Sequence, residues 1–259
     1  MPFTGSHPAA VLPLKPWCKQ TPYFAALVVG SMSPDFGYFS PIDLNTRYSH
    51  TLEGIIVMNL PLSILALILV LLARKSFCHL LPNPHRDFLL SLCQKPIVSW
   101  KMVLITILCL LFGAWTHVVW DSFTHAASPL VKNSAWMRLE TRLGMPIYRV
   151  MQHASTLVGG LILLLAYRHA LKKKGHALWP LFYISEIKRY GLWLIIGILS
   201  LLWGFAKNYS RVKSFDDLYD YQVFAFHFVV SSMAFGFCLL ALALLAWHFF
   251  HSFRKWLAS

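Results

Sequence analysis

Charge is what this chain has least of, and acidic charge above all: ten Asp and Glu stand against 23 Lys and Arg in 259 residues. Only 13% of the residues are charged, roughly half of what a soluble domain carries, while 57% are hydrophobic and the mean hydropathy is +0.57. A soluble globular domain is excluded by that balance. The five cysteines, Cys18, Cys78, Cys93, Cys109 and Cys238, form no C-x-x-C pair, which removes the usual thiol-based metal and redox motifs and leaves them as packing residues. No Gly-rich phosphate loop, heptad or internal repeat interrupts the sequence. Pro2, Pro8, Pro13 and Pro16 break up the first twenty residues, so we expect no cleaved signal there.

What is present instead is long apolar runs. Five stretches approach or exceed the roughly 20 residues needed to cross a bilayer as a helix: 54–73, 101–120, 147–167, 190–206 and 222–247. The fourth is the shortest. A sixth apolar stretch, 22–32, is too short to cross and stops at Ser33-Pro34-Asp35, which predicts a re-entrant or interfacial helix. The expected fold is all-α: a polytopic transmembrane helix bundle of about five spans, forming one membrane domain over 1–259. Within it, 1–53 is an N-terminal segment carrying candidate ligands and 54–259 is the bundle.

The net charge of +13 would suit nucleic acid, but the basic residues sit in short loops between apolar runs, so no nucleic-acid partner is expected. Arg74, Lys75, Arg86, Lys95, Lys101, Arg168, Lys172, Lys173, Lys174, Lys188, Arg189, Arg254 and Lys255 fall on one side of the predicted topology, with Asp87 and Glu186 as the only acids there. That side is expected to face the cytoplasm of a bacterial inner membrane. The N-terminal segment is then on the periplasmic side.

The string Trp115-Thr116-His117-Val118-Val119-Trp120-Asp121-Ser122-Phe123-Thr124-His125 carries the most chemical information. On a continuing helix, His117, Asp121 and His125 recur every four residues and share one face. Imidazole and carboxylate without thiolate suit a divalent metal, zinc or manganese. The plainer alternative is a set of hydrogen-bonded polar residues at a helix end, but an aspartate among aromatic residues at membrane depth is costly and is a functional candidate by default. The same topology brings His7, Asp35, His50, Glu53 and His153 to that outer level. Taken singly, Ser33-Pro34-Asp35 also reads as a capped turn and Ser49-His50-Thr51-Leu52-Glu53 as a helix-start box. His79, His85, His169, His176, His248 and His251 fall on the other side, and His227 reads as a packing residue. Asn59 with Pro61 is the polar interruption in the first span.

Met1-Pro2-Phe3-Thr4, Ser6-His7-Pro8-Ala9, Gly30-Ser31-Met32-Ser33-Pro34-Asp35, Ser49-His50-Thr51, the His117 to His125 string and Gln152-His153 form an ordered series along the chain. This series closely resembles the bacterial membrane family catalogued as domain of unknown function 4184, over essentially the whole length. That family in turn looks like a relative of inner-membrane metal-dependent hydrolases and, more distantly, of zinc-dependent phospholipase C and the P1-type nucleases. The resemblance implies zinc ions held by His and Asp, including a helical His-x-x-x-Asp matched by His117 and Asp121, with water activated against a phosphodiester. The soluble enzymes also use an N-terminal Trp amino group as a ligand, whereas this chain reads Met1-Pro2.

These readings converge on an expected metal-dependent hydrolase acting on a phosphoester-containing lipid or lipid-linked substrate at the outer face. His7, Asp35, His50, His117, Asp121, His125 and His153 are its candidate ligands, and Glu53 its candidate general base. Arg142 and Arg149 could meet an anionic headgroup or act as interfacial anchors. The alternative is a non-enzymatic transporter or scaffold whose His and Asp residues form a structural metal site or a buried polar network.

Overall fold

The computed structural model describes residues 3–18, 20–40, 44–93, 99–142, 144–175, 186–209 and 218–257; Met1, Pro2, Lys95 and His176 of the residues discussed above lie outside them. Among the described residues the structure is helical and contains no strand. Five helices are long and apolar enough to cross a membrane: α2 (Leu52–Leu80), α3 (Trp100–Ser122), α4 (Ile147–Lys173), α5 (Ile187–Tyr209) and the Asp220–Phe250 part of α6 (Leu218–Leu257). They coincide with the five expected spans, the short fourth included, and mark an integral membrane protein. Each helix runs past its apolar stretch into polar residues, as α2 does through Arg74 and Lys75.

The predicted short helix is α1, Thr21–Met32. Tyr23-Phe24-Ala25-Ala26-Leu27-Val28-Val29 is apolar on every face, so this helix has no side to give to water and is packed into the protein. Its ends are set by Pro22 in the first turn and by Ser33-Pro34 after the last.

The chain divides into two compact units. The first comprises Met1–Gly37, Leu44–Leu72 and Leu92–Leu178. Its core is Ala26 and Val29 of α1, Leu67 of α2 and Leu110 of α3, with Phe36, Leu60 and Ile64 packed around them. Two glycines let α1 and α3 approach backbone to backbone. A Cβ on Gly30 would fall on the Leu110 carbonyl oxygen, and one on Gly113 would fall on the Leu27 carbonyl oxygen. Small residues at a helix crossing serve this purpose in membranes, where the lipid tails leave little hydrophobic drive for association. The N-terminal turn is tied to α4: the Ser6 hydroxyl donates to the Thr156 carbonyl at 2.9 Å, and the Phe3 N–H donates to the Thr156 hydroxyl at 3.0 Å.

The start of α2 is a π-helical turn, Ile55–Asn59, in which the Leu60 N–H reaches the Ile55 carbonyl. The wider turn places Asn59, fully buried, so that its amide donates to the Ser49 carbonyl at 2.7 Å. Asn59, noted above as a polar interruption, therefore fixes the loop that carries His50.

The second unit comprises Tyr38–Asp43, Ala73–Ser91 and Trp179–Ser259. Here α5 and α6 pair through Gly204, whose Cβ position is taken by the Ser232 side chain, and through stacking of Trp203 on Phe235 at 4.9 Å. The Asn208 amide donates to the Gly204 and His227 carbonyls and to the Ser231 hydroxyl. His227 thus contributes a main-chain acceptor to this pairing.

Candidate metal centre

Three segments of the first unit converge on one point. His117 and Asp121 lie one turn apart on α3, on the same buried stripe as Leu110, Gly113 and Ala114. Asp35 ends the 3-10 turn Ser33–Asp35 that follows α1. His50 follows the short helix Thr46–Ser49, whose start is capped by the Asn45 side chain accepting from the Tyr48 N–H. Asp35 and His117 are fully buried and Asp121 nearly so, while His50 keeps a fifth of its side chain exposed.

Asp35, His50, His117 and Asp121 together could hold a metal ion, since one ligand atom from each lies within 4.8 Å of all the others. His50 Nε2 is 3.5 Å from Asp35 Oδ1 and 3.3 Å from Asp121 Oδ2; His117 Nε2 is 3.6 Å from Asp35 Oδ1 and 3.3 Å from Asp121 Oδ2. Ligand bonds of about 2.0–2.1 Å in a tetrahedral shell give ligand-to-ligand edges of about 3.3–3.4 Å. The four His-to-carboxylate separations therefore lie close to those that a small divalent ion imposes.

Hydrogen bonding leaves these same atoms unused. His50 Nδ1 donates to the Thr46 carbonyl at 2.7 Å and His117 Nδ1 donates to the Ser31 carbonyl at 2.7 Å. A carbonyl can only accept, so each ring carries a proton on Nδ1 and turns Nε2 inward. Asp35 is oriented through its other oxygen, Oδ2, which accepts from the Thr4 hydroxyl at 2.6 Å. Asp35 Oδ1, His50 Nε2, His117 Nε2 and both Asp121 oxygens are buried with no hydrogen-bond partner. Unsatisfied polar atoms at this density are rare inside proteins, and a bound ion would account for them. Outer hydrogen bonds that aim the inner ligands are the usual companion of a metal site.

His7 is the fifth member of the group. It sits between the turn Thr4–Ser6 and the helix Pro8–Val11, its ring stacked on His117 at 3.7 Å and edge-on to Trp120 at 5.9 Å. Nε2 lies 3.6 Å from Asp121 Oδ1, and neither ring nitrogen has a partner. Burial, reinforced by the neighbouring imidazole of His117, lowers its pKa to about 3, so the ring is neutral at physiological pH. Burial also acts against a charge on His50, but the Asp121 and Asp35 carboxylates outweigh it and raise the pKa to about 9. For Asp35, burial is outweighed by the His117 and His50 rings and the Thr4 hydroxyl, which hold the carboxyl well below the usual carboxylate range.

Three other predicted residues stand differently. The α3 helix stops at Ser122, so the regular four-residue spacing does not carry through to His125. A turn instead brings His125 back, with Nδ1 donating to the Asp121 carbonyl at 3.0 Å and 3.5 Å from Asp121 Oδ2. Burial lowers its pKa. Glu53 is exposed at the start of α2, and His153 is exposed on α4; neither belongs to the group of four. Arg142 is exposed and Arg149 half-buried.

A family model described as Domain of unknown function (DUF4184) matches residues 1–247. The chain belongs to this family. No curated protein and no solved structure matches it. For this DUF4184 member, the converging His and Asp side chains are therefore what carries a functional argument. Sequence reasoning did not assign roles to Thr4, Asn59 or the Ser31 and Thr46 carbonyls, which aim the ligands. Thr4 stands 31 positions from Asp35, and the only available signal was a cluster of small polar residues, Thr4 and Ser6, beside His7.

Proposed function

We propose that this protein is a membrane-embedded metal-dependent hydrolase acting on a phosphoester-containing lipid or lipid-linked substrate. Its site would open at the periplasmic side of a bacterial inner membrane, as the distribution of Lys and Arg between the loops favours. The observation that carries the reading is a surplus of donors. Four ligand atoms would suffice to close a structural tetrahedral site, yet His7 and Asp121 Oδ1 remain beside them, buried and without partners. A structural staple has no use for them; a reaction centre has.

Asp35, His50, His117 and Asp121 would hold the ion, zinc by the preference of His and carboxylate ligands, with manganese as the other fit. When bound, such an ion supplies Lewis acidity, making water a nucleophile near neutral pH and offsetting charge on phosphoryl oxygens. The side chains do the rest. Neutral His7 offers one N–H and one lone pair to a polar group at the site. His125 has Nδ1 engaged on the Asp121 carbonyl and is a quarter exposed, which leaves Nε2 to take or return a proton at the open edge. Glu53 and His153, both exposed and outside the group of four, have no part in this assignment.

The second reading is a metal staple, favoured by the close His-to-carboxylate spacing of 3.3–3.6 Å and by the way the site ties the N-terminal segment to α3. Elemental analysis of the full chain in detergent, followed by assay of phosphate or headgroup release from anionic and polyprenyl-phosphate lipids, separates the two. The hydrolase reading expects bound metal and release that is lost on His125→Ala with metal retained. Bound metal with no release from any of these lipids would leave only the staple.

A further inference from the structure

Beside the metal centre, on a different face of α3, runs an open cavity of about 470 Å³. Trp115, Val119 and Phe123 of the α3 segment form one wall, Met151 and Ser155 of α4 the other, and Ala10 of the N-terminal segment adjoins both. At about 100° per residue, these α3 positions lie on the flank of the helix, turned away from the stripe that carries His117 and Asp121. Trp115, Val119 and Phe123 are all exposed, and on a membrane-spanning helix the exposed apolar surface adjoins lipid. The α3 part of the cavity, from Trp115 to the helix end at Ser122, follows about 10 Å of helix length.

The lining specifies its occupant. Its hydroxyls are turned to the protein's own backbone: Thr116 donates to the Gly113 carbonyl at 2.7 Å, and Ser155 donates to the Gln152 carbonyl at 3.0 Å. What remains is almost entirely hydrocarbon and aromatic ring surface, which suits an acyl chain better than a sugar or a peptide backbone. Two of the lining residues border the metal centre. Trp120 is the ring that packs edge-on against His7, and the Thr124 hydroxyl lies 3.3 Å from His125 Nδ1. The cavity is therefore open along the exposed apolar residues of α3 and borders Trp120 and Thr124, the neighbours of His7 and His125. Its volume lies within the roughly 300–1,000 Å³ of small-molecule sites.

We propose that this groove holds the hydrocarbon tail of a membrane lipid, seated along Trp115, Val119 and Met151, so that the headgroup end of the same molecule lies beside Thr124 and the partly exposed His125. The substrate part of this inference rests on the hydrolase reading; the occupancy of the groove does not. A tail held between α3 and α4 orients the headgroup before any reaction, which is how binding at a remote part of a substrate contributes to rate.

Photolabelling of the metal-loaded full chain tests occupancy without turnover. The protein is placed in nanodiscs of phosphatidylglycerol doped with the same lipid carrying a diazirine in one acyl chain, and adducts are mapped by mass spectrometry. Adducts at Trp115, Val119 and Met151 are expected to exceed those at Leu104 and Leu161, which are exposed on the same two helices, by about fivefold or more. Filling the groove by Val119→Trp or Ser155→Phe is expected to reduce those adducts by a similar factor while the metal content stays at the wild-type level. Equal labelling of groove and non-groove positions in the wild type would overturn the proposal whether or not the variants fold. Undiminished labelling in both filled variants would do so too, as would cross-links showing a second copy of the chain seated on this face. A labelled groove in a protein that releases nothing from any lipid would overturn the hydrolase reading alone.

Discussion

Each compact unit contains a group of ionisable side chains at helix ends, and the two are built in opposite ways. In the second unit, Glu186 is nearly buried and both its oxygens are used, Oε1 by Arg86 at 3.2 Å and Oε2 by Arg189 at 2.5 Å. Arg189 also donates to the His79 carbonyl, and Arg86 to Asp87. In the first unit, Asp35, His50, His117 and Asp121 point at one another at 3.3–3.6 Å without a hydrogen bond between them. The first arrangement satisfies itself and is an ordinary structural network. The second turns ring Nε2 and carboxylate oxygens toward a shared point, where one metal ion could engage all four residues. Charge density alone does not mark a site; unsatisfied convergence does.

The largest expected effect comes from removing a convergent ligand. His117→Ala or Asp121→Ala should reduce metal bound to the purified full chain by more than about 100-fold in affinity, beyond the roughly 10–100-fold typical of outer-shell changes. Glu186→Gln should leave metal content untouched. Equal loss in all three variants would erase the contrast between the groups.

Next in size is Thr4→Ala, which removes the hydroxyl that aims Asp35 while sparing every ligand atom. A drop of about 10–100-fold in metal affinity, read by competition with a chelating dye, is expected from a lost outer-shell partner. Unchanged affinity would mean that Asp35 is held by packing alone.

The pH dependence follows from His50. Without metal its pKa is raised to about 9, so at pH 7 the ring carries a proton that an incoming ion must displace. Affinity is therefore expected to fall as pH falls, by about tenfold per unit for each proton released, over the range below 9. Titration calorimetry in buffers of different ionisation enthalpy reads the proton count directly, and a count of zero at pH 7 would contradict the assignment of His50.

The smallest effect is expected in the second unit. Glu186→Gln keeps the shape of the network but weakens two charge-assisted contacts, each worth about 1.5–3 kcal/mol at most and less here because both arginines are partly exposed. A fall of a few degrees in thermal midpoint, with metal binding intact, is the expected result. Loss of metal binding instead would show that the two groups are coupled.

Much of this was legible from local pattern. The five spans follow from apolar length, and His117 with Asp121 follows from one helical turn, because both signals are confined to a single segment. The differences share a cause as well. The regular spacing predicts α3 through to His125, whereas the helix stops at Ser122 and a turn returns His125 to Asp121; Glu53 and His153 share the level of the group in the topology but stand outside the four. Level along a membrane normal says nothing about direction around a helix axis, and both residues are exposed.

The sequence by itself determined that this chain is helical, lives in a membrane and carries an imidazole–carboxylate pair on one face of its second span. Only the tertiary structure decided that Asp35, His50 and His7 meet that pair while His153 does not. The physical reason is that the meeting depends on contacts with no local signature. Gly30 and Gly113 let α1 sit against α3. Asn59 in its π-turn pins the His50 loop, and Thr4 reaches across to Asp35. Each joins residues distant along the chain, and together they bring these side chains to one point.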